Sequence, residues 1–317
     1  MELVDKIKQE LSEIYSKEEI GYIISLIFNK LAGINFTEFL LSENKKFSQK
    51  VIEKIESAVE RLKLNEPIQY VLGQTEFYGL PFITDKRALI PRPETEELVE
   101  WVLCHCGRSV SNAELLDPQS LENKQRSLNV VAERSDVLSL SKYRNVEEQG
   151  WSILDIGTGS GCIAVTLAQK LKKSRVYAFD ISLDALNLAH ENADLNYVFV
   201  HFYHCNILKM SGFDKKFDII VSNPPYIPNA QKVEMKPNVL DYEPSMALFV
   251  PDETPLLFYE HIINFAKKQL NPNGALFFEI NHLYAKEIVK LLKTSKFKNI
   301  EIKKDISGKD RIIKAEI

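Results

Sequence analysis

From residue 151 to the end, short apolar runs alternate with helical patterns, and few folds accommodate that order. Ile153-Leu154-Asp155 and Val176-Tyr177-Ala178-Phe179-Asp180 read as strands ending in acids. Residues 198–202, 217–221 and 275–280 are further apolar runs, with helical patterns between them over 162–171, 183–193 and 256–270. Such alternation implies an α/β chain with a doubly wound, mostly parallel sheet. Residues 300–303 and 311–317, joined through Ser307-Gly308-Lys309-Asp310, predict a closing antiparallel hairpin.

The chain ahead of this region is different. Residues 1–73 carry apolar residues at helical spacing: Leu3, Ile7, Leu11 and Ile14, then Ile20, Ile23, Ile24, Ile27 and Leu31, then Val51, Ile52, Ile55, Val59 and Leu62. Ser16 with Glu19 is a capping-box pattern opening the second helix. A small helical bundle over 1–73, suited to docking, is expected. Residues 74–95 read as a linker with a short hairpin around Glu76 to Phe82, and 96–317 as the catalytic domain. Within the latter, 107–150 hold seven Ser and 13 charged residues with weak periodicity and are expected to be a surface insertion.

Charge and cysteine usage narrow the function classes. Forty Lys+Arg against 44 Asp+Glu give a net charge of -4, without the basic footprint of a protein that grips nucleic acid by charge. No apolar run approaches the roughly 18 residues of a membrane span. The N-terminus lacks a signal-peptide pattern, so a cytoplasmic, soluble protein is expected. Cys104 and Cys106 flank His105, but no second Cys/His pair stands at zinc spacing, so no metal is expected. Cys162 and Cys205 read as small core residues.

Two motifs carry chemistry. Asp155-Ile156-Gly157-Thr158-Gly159-Ser160-Gly161 ends the first strand of the alternating region and opens a helix. Its glycines permit a tight turn and close approach of backbone to a ligand. Position 162 is Cys, so the dinucleotide fingerprint fails, and the Gly-Lys-Ser/Thr ending of a P-loop is absent. Asp155 suits a cationic ligand such as S-adenosylmethionine better than a pyrophosphate. Asp180, about 25 residues on, is placed to accept both hydroxyls of a ribose, although Ser182 beside it could cap the next helix. The second motif is Asn223-Pro224-Pro225-Tyr226, directly after a strand. The prolines stiffen the loop, Asn supplies a carbonyl acceptor and Tyr an aromatic face, which together can hold a planar NH2 group.

This pairing resembles class I S-adenosylmethionine-dependent methyltransferases that act on amide or amino nitrogens. Pro67-Ile68-Gln69-Tyr70-Val71-Leu72-Gly73, Glu76-Phe77-Tyr78-Gly79, Ile90-Pro91-Arg92-Pro93-Glu94-Thr95-Glu96, Tyr242-Glu243-Pro244 and Asp305-Ile306-Ser307-Gly308-Lys309-Asp310-Arg311 narrow it. They resemble the peptide chain release factor glutamine methyltransferases, over nearly the whole chain except about 107–150. The resemblance implies a seven-stranded sheet and methylation of the glutamine amide nitrogen in the Gly-Gly-Gln motif of a release factor. It implies that Asp155, Gly157, Thr158, Gly159, Ser160, Gly161, Asp180 and Ile181 hold S-adenosylmethionine, with Asn206, Ile207 and Asn223 completing that site. Asn223, Pro224, Pro225 and Tyr226 would hold the glutamine, and Asn223, Pro224 and Tyr226 would serve the transfer. Three departures stand out: Asn206-Ile207 where many members have Asp and an aromatic, Ile280-Asn281 after Glu279 where a glycine is usual, and the insertion. A nucleic-acid adenine N6 or guanine N2 methyltransferase is the alternative. The expected partner is a release factor, with no membrane, no direct nucleic-acid contact and a monomeric chain.

Overall fold

The computed structural model describes residues 2–35, 47–107 and 150–317. The expected insertion at 107–150 lies outside the described residues except for its two ends. Among the described residues the chain opens with helices α1 (Glu2–Leu11), α2 (Lys17–Ala32), α3 (Gln49–Lys63) and the short α4 (Ile68–Leu72). The Ser16 hydroxyl accepts from Glu19 N at 3.2 Å, and the Glu19 carboxylate accepts from Ser16 N at 2.9 Å. This reciprocal cap satisfies two backbone donors that the first turn leaves without partners. Leu11, Ile24, Ile27, Ile55 and Leu62 then close one apolar core between α1, α2 and α3.

Strands β1 (Gln74–Phe77) and β2 (Leu80–Ile83) pair antiparallel. Tyr78 and Gly79 turn between them with φ of 52° and 71°, which matches the right-handed twist of a tight hairpin. Helix α5 (Pro93–His105) starts on Pro93 with Glu94 and Glu96 in its first turn. Proline costs no hydrogen bond there, and the acids meet the positive end of the helix dipole.

The alternating region runs β3 (Ser152–Ile156), α6 (Cys162–Lys170), β4 (Arg175–Asp180), α7 (Leu183–Leu195), β5 (His201–His204) and β6 (Phe217–Ser222). A short pair, β7 (Ile227–Pro228) and β8 (Phe249–Val250), brackets the small helices α8 (Pro237–Leu240) and α9 (Ser245–Leu248). Then come α10 (Leu257–Gln269), β9 (Leu270–Glu279), α11 (Ala285–Thr294), β10 (Lys298–Lys304) and β11 (Asp310–Glu316). The seven-stranded sheet has the order β10-β11-β9-β6-β3-β4-β5. Its five-strand body is parallel, and β11 pairs antiparallel with both β9 and β10. This is the class I methyltransferase fold with the expected closing hairpin.

Both faces of the sheet are covered, so its strands read as nearly continuous apolar runs. Successive side chains alternate between faces. Ile153 joins Leu98, Val102 and Ile163 on one side, and Leu154 joins Tyr259, Ile262 and Ile288 on the other. The run at 198–202 becomes strand only from His201. Helix α7 ends at Leu195, Tyr197 turns left-handed at φ 54°, and Val198 N bonds back to Ala193 O at 3.0 Å. Residues 196–200 are therefore consumed by the return to the sheet. The run at 275–280 is entered earlier, at Leu270, which pairs with Phe217.

The glycine loop joins β3 to α6. Gly157, Gly159 and Gly161 all have positive φ (76°, 55° and 82°), a conformation that costs other residues about 1–2 kcal/mol. At Gly161 a Cβ would stand 3.0 Å from the Ala189 Cβ of α7, so this glycine lets α6 and α7 pack closely. Behind the loop, Asp155 is fully buried and accepts from the Thr158 hydroxyl at 2.7 Å. Burial pushes its carboxyl up to about 7; the Thr158 bond opposes the rise, and the charge of Asp180 adds to it.

Gly161→Ala destabilises the protein by about 1–3 kcal/mol in denaturant unfolding, because strain and overpacking act together. Gly157 has open space where a Cβ would stand, so Gly157→Ala costs only the φ strain. For Asp155 the folded state takes up a proton between pH 7 and 4 that the unfolded chain does not, so its contribution to stability rises as pH falls through 7. Asp155→Asn is neutral throughout and keeps an oxygen for Thr158. The wild type should therefore gain about 2 kcal/mol on the Asn variant between pH 7 and 5, read from paired urea titrations.

Candidate active site

A cavity of about 360 Å³ opens at the carboxyl ends of β3, β4 and β6. Such ends are where ligands meet open α/β sheets. One wall is the glycine loop, a second the ends of β4 and the turn at 206–208, and a third Asn223, Pro224 and Pro225. Ala88 to Arg92 and Thr95 close the remaining side.

The expected cofactor residues divide. Gly157, Thr158, Gly159, Ser160, Asp180, Ile181, Asn206 and Ile207 reach the cavity wall. Asp155 and Gly161 do not; they lie behind the loop and shape it. Asp180 Oδ2 accepts from Gly159 N at 2.8 Å and Oδ1 from Ser182 N at 2.9 Å. The Ser182 side chain caps α7, and Asp180 takes the Ser182 backbone donor instead, so the two residues divide the work. Burial raises the Asp180 carboxyl above its usual range, and its backbone bonds oppose that rise. Each oxygen keeps lone-pair capacity for a further donor. Asn206 Oδ1 accepts from Leu208 N at 2.9 Å and so holds the turn that presents Ile207.

These residues fit S-adenosylmethionine. Gly157 leaves open space where a side chain would stand, and only Ala88 Cβ, at 3.9 Å, approaches the position of a Cβ on Gly159. Asp180 offers acceptors suited to ribose hydroxyls, with the apolar Ile181 and Ile207 beside it for a planar base. Both wall cations are already paired: Arg87 with Asp85 and Glu191, Arg92 with Glu243.

On the opposite side, Ser222 Oγ donates to Ile156 O at 2.6 Å and ties the end of β6 to β3. Asn223, Pro224 and Pro225 reach the cavity, whereas Tyr226 does not line it. The Tyr226 hydroxyl instead donates to Glu279 Oε1 at 3.0 Å, and burial pushes its phenol up. Asn223 Nδ2 donates to Thr95 Oγ1 at 3.2 Å, and Thr95 donates to Glu279 Oε2 at 2.7 Å. Thr95, Glu279, Arg92 and Glu243 belong to this arrangement although they stand outside both sequence motifs. Glu243 is buried and accepts from Ile90 N at 3.1 Å as well as from Arg92, which fixes the segment over the cavity. The stretches around 90–96 and 242–244 were the available signal. Cys162 and Cys205, expected as core residues, stand half-buried on the cavity wall because they follow the glycine loop and β5 at the strand ends.

Residues 2–73 match the family model described as PrmC N-terminal domain, and 128–240 match Methyltransferase small domain. The chain is 41% identical over 306 residues to the release factor glutamine methyltransferase of Flavobacterium psychrophilum, covering 96% of this chain and 95% of that protein. It is 36% identical over 310 residues to the protein of the same name from Bacteroides thetaiotaomicron, covering 98% and 97%. Among solved structures, a release-factor-specific protein-(glutamine-N5) methyltransferase from Alicyclobacillus acidocaldarius superposes at TM-score 0.36, with 23% identity over 72% of this chain and 93% of that one. On the full-length match to these relatives, the chain belongs to the release factor glutamine methyltransferase family.

Proposed function

We propose that this protein transfers a methyl group from S-adenosylmethionine to the side-chain amide nitrogen of the glutamine in the Gly-Gly-Gln motif of a peptide chain release factor. The observation that carries the reading is one cavity walled by both the glycine loop and Asn223-Pro224-Pro225. The bound cofactor supplies an electrophilic methyl on a sulfonium. Asp180 would accept from its ribose hydroxyls, and Ile207 would pack against its base. Asn223 Oδ1 and the Pro224 carbonyl accept the two N–H groups of the glutamine amide. These bonds orient the nitrogen and enrich it in electron density, which matters because an amide lone pair is delocalised. Pro224 and Pro225 hold that geometry with fixed backbone angles. The work of the site is positioning, worth several kcal/mol of barrier. No side chain has to remove a proton before the methyl arrives.

Residues 1–73 dock the body of the release factor in this reading. They contact the loop that follows the catalytic quartet: Tyr242 OH donates to Leu64 O at 2.7 Å, and Lys236 pairs with Glu19 at 3.2 Å. No helix among the described residues is long and apolar enough to cross a membrane.

Offering labelled methyl donor together with release factor, DNA and RNA tests the function. Label is expected on the release-factor glutamine, and label on nucleic acid instead would overturn the reading. Asn223→Ala should lower kcat by about a hundred- to a thousandfold with cofactor affinity retained, because one preorganised hydrogen-bonding group at the reacting centre is lost. Asn223→Asp keeps the acceptor oxygen and should retain weak activity. Near-normal glutamine methylation by the Ala variant removes Asn223 from the mechanism.

A further inference from the structure

Glu279 ends β9 at the edge of the site, 2% exposed, and the transfer outlined above gives it no task. A carboxylate is not buried without cost, and its partners show what it holds. Oε2 accepts from the hydroxyl of Thr95, itself 2% exposed in the first turn of α5, and Oε1 accepts from Tyr226. A threonine hydroxyl has one proton to give. Since that proton goes to the carboxylate, Thr95 Oγ1 can only accept from Asn223, so the NH2 end of the Asn223 carboxamide faces Thr95. Oδ1 is then the end left for a ligand.

The two ends of a carboxamide are nearly equal in size, so shape alone does not choose between them. Only one choice works for a glutamine NH2, because an NH2 facing another NH2 brings donor against donor. We propose that Thr95 and Glu279 are positioning residues that lock the Asn223 carboxamide with its oxygen toward the substrate amide. This inference rests on the glutamine-methylation reading. The same carboxylate anchors Tyr226, whose carbonyl oxygen accepts from Asn281 Nδ2 at 3.3 Å, so both ends of the quartet are fixed.

Protonation of Glu279 reverses the chain of donors. With a proton on Oε2 the carboxyl donates to Thr95, the threonine proton is free to turn to Asn223 Oδ1, and the carboxamide is released to present NH2 to the cavity. Burial raises the Glu279 carboxyl; the bonds from Thr95 and Tyr226 and the charge of Arg311 hold it down, and Glu94 pushes it up. Tyr259 OH reaches the Glu279 backbone carbonyl, at 3.1 Å, and Arg311 is itself paired with Asp305 at 3.1 Å. The productive state is the ionised one, so activity falls as pH drops through the Glu279 pKa.

The test uses the full chain and release factor with Thr95→Val, Thr95→Ser and Glu279→Gln, each checked for cofactor affinity and melting temperature. Thr95→Val should lower kcat by about ten- to a hundredfold, since misplacement of a reacting group by an ångström has effects of that size. KM and cofactor affinity should stay within about twofold, the signature of a contact that serves the transition state. Thr95→Ser restores the hydroxyl and should restore kcat. The acid limb of the kcat profile should persist in Ser and disappear in Val and in Glu279→Gln. In asparagine-labelled protein, exchange of the Asn223 carboxamide protons should be slowed in the wild type and the Ser variant and fast in Val. Wild-type kcat in Thr95→Val, an equal loss in Ser and Val, or an unchanged acid limb in Val would overturn the lock. Failure of the wild type to label glutamine would instead remove the functional reading, and the carboxamide exchange rates would still decide the lock.

Discussion

Three backbone donors of the glycine loop turn onto the end of β4, and the site depends on them. Gly157 N and Thr158 N both donate to Phe179 O, at 2.8 and 3.0 Å, and Gly159 N donates to Asp180 Oδ2 at 2.8 Å. A chain leaving β3 would otherwise leave these donors without protein partners, at about 1–3 kcal/mol for each one that is buried. Positive φ at alternate positions aims them at the neighbouring strand. The consequence is functional as much as structural. The loop that lines the cavity is held by an aspartate that lines the same cavity, so fold and site share one joint.

A second joint ties the N-terminal bundle to this site. Residues 84–95 run from the hairpin across the cavity, and each part is anchored by a different element. Tyr70 of α4 donates to Ala88 O at 2.7 Å, Glu243 holds Ile90 and Arg92, and Thr95 bonds to Glu279 of β9. Arg87 reaches Glu191 of α7 from the same segment. The bundle therefore does not hang from a free linker. A force on α4 is transmitted to this wall of the cavity.

How much of this was legible in the sequence follows from the range of each interaction. The alternation after residue 151 revealed the sheet because strands buried on both faces must be apolar throughout. The capping box at Ser16 and the start of α5 at Pro93 were legible because their partners lie within one turn. Asp155, Gly161 and Tyr226 stand in the two motifs but do not line the cavity. A tight turn alternates its residues between cavity and scaffold, which a contiguous motif does not announce. Asp155 and Gly161 serve the loop from behind, and Tyr226 is drawn away by Glu279. The link from Thr95 to Glu279 spans 184 positions, and neither residue sits in a spacing pattern that would announce the other.

The electrostatics of the cavity narrow what it can accept. Its wall carries two cations, Arg87 and Arg92, and each is neutralised by carboxylates that the fold supplies. Asp180 lines the cavity with a backbone N–H on each oxygen, and Glu279 lies just behind Thr95. A phosphate-bearing strand would have to displace Glu243 or Glu191 to gain an arginine, and would then meet Asp180. A sulfonium ion and a neutral amide meet no such opposition. The field of the site thus favours a cationic donor and an uncharged acceptor, which is the pairing that glutamine methylation requires and that a polyanionic substrate would contradict.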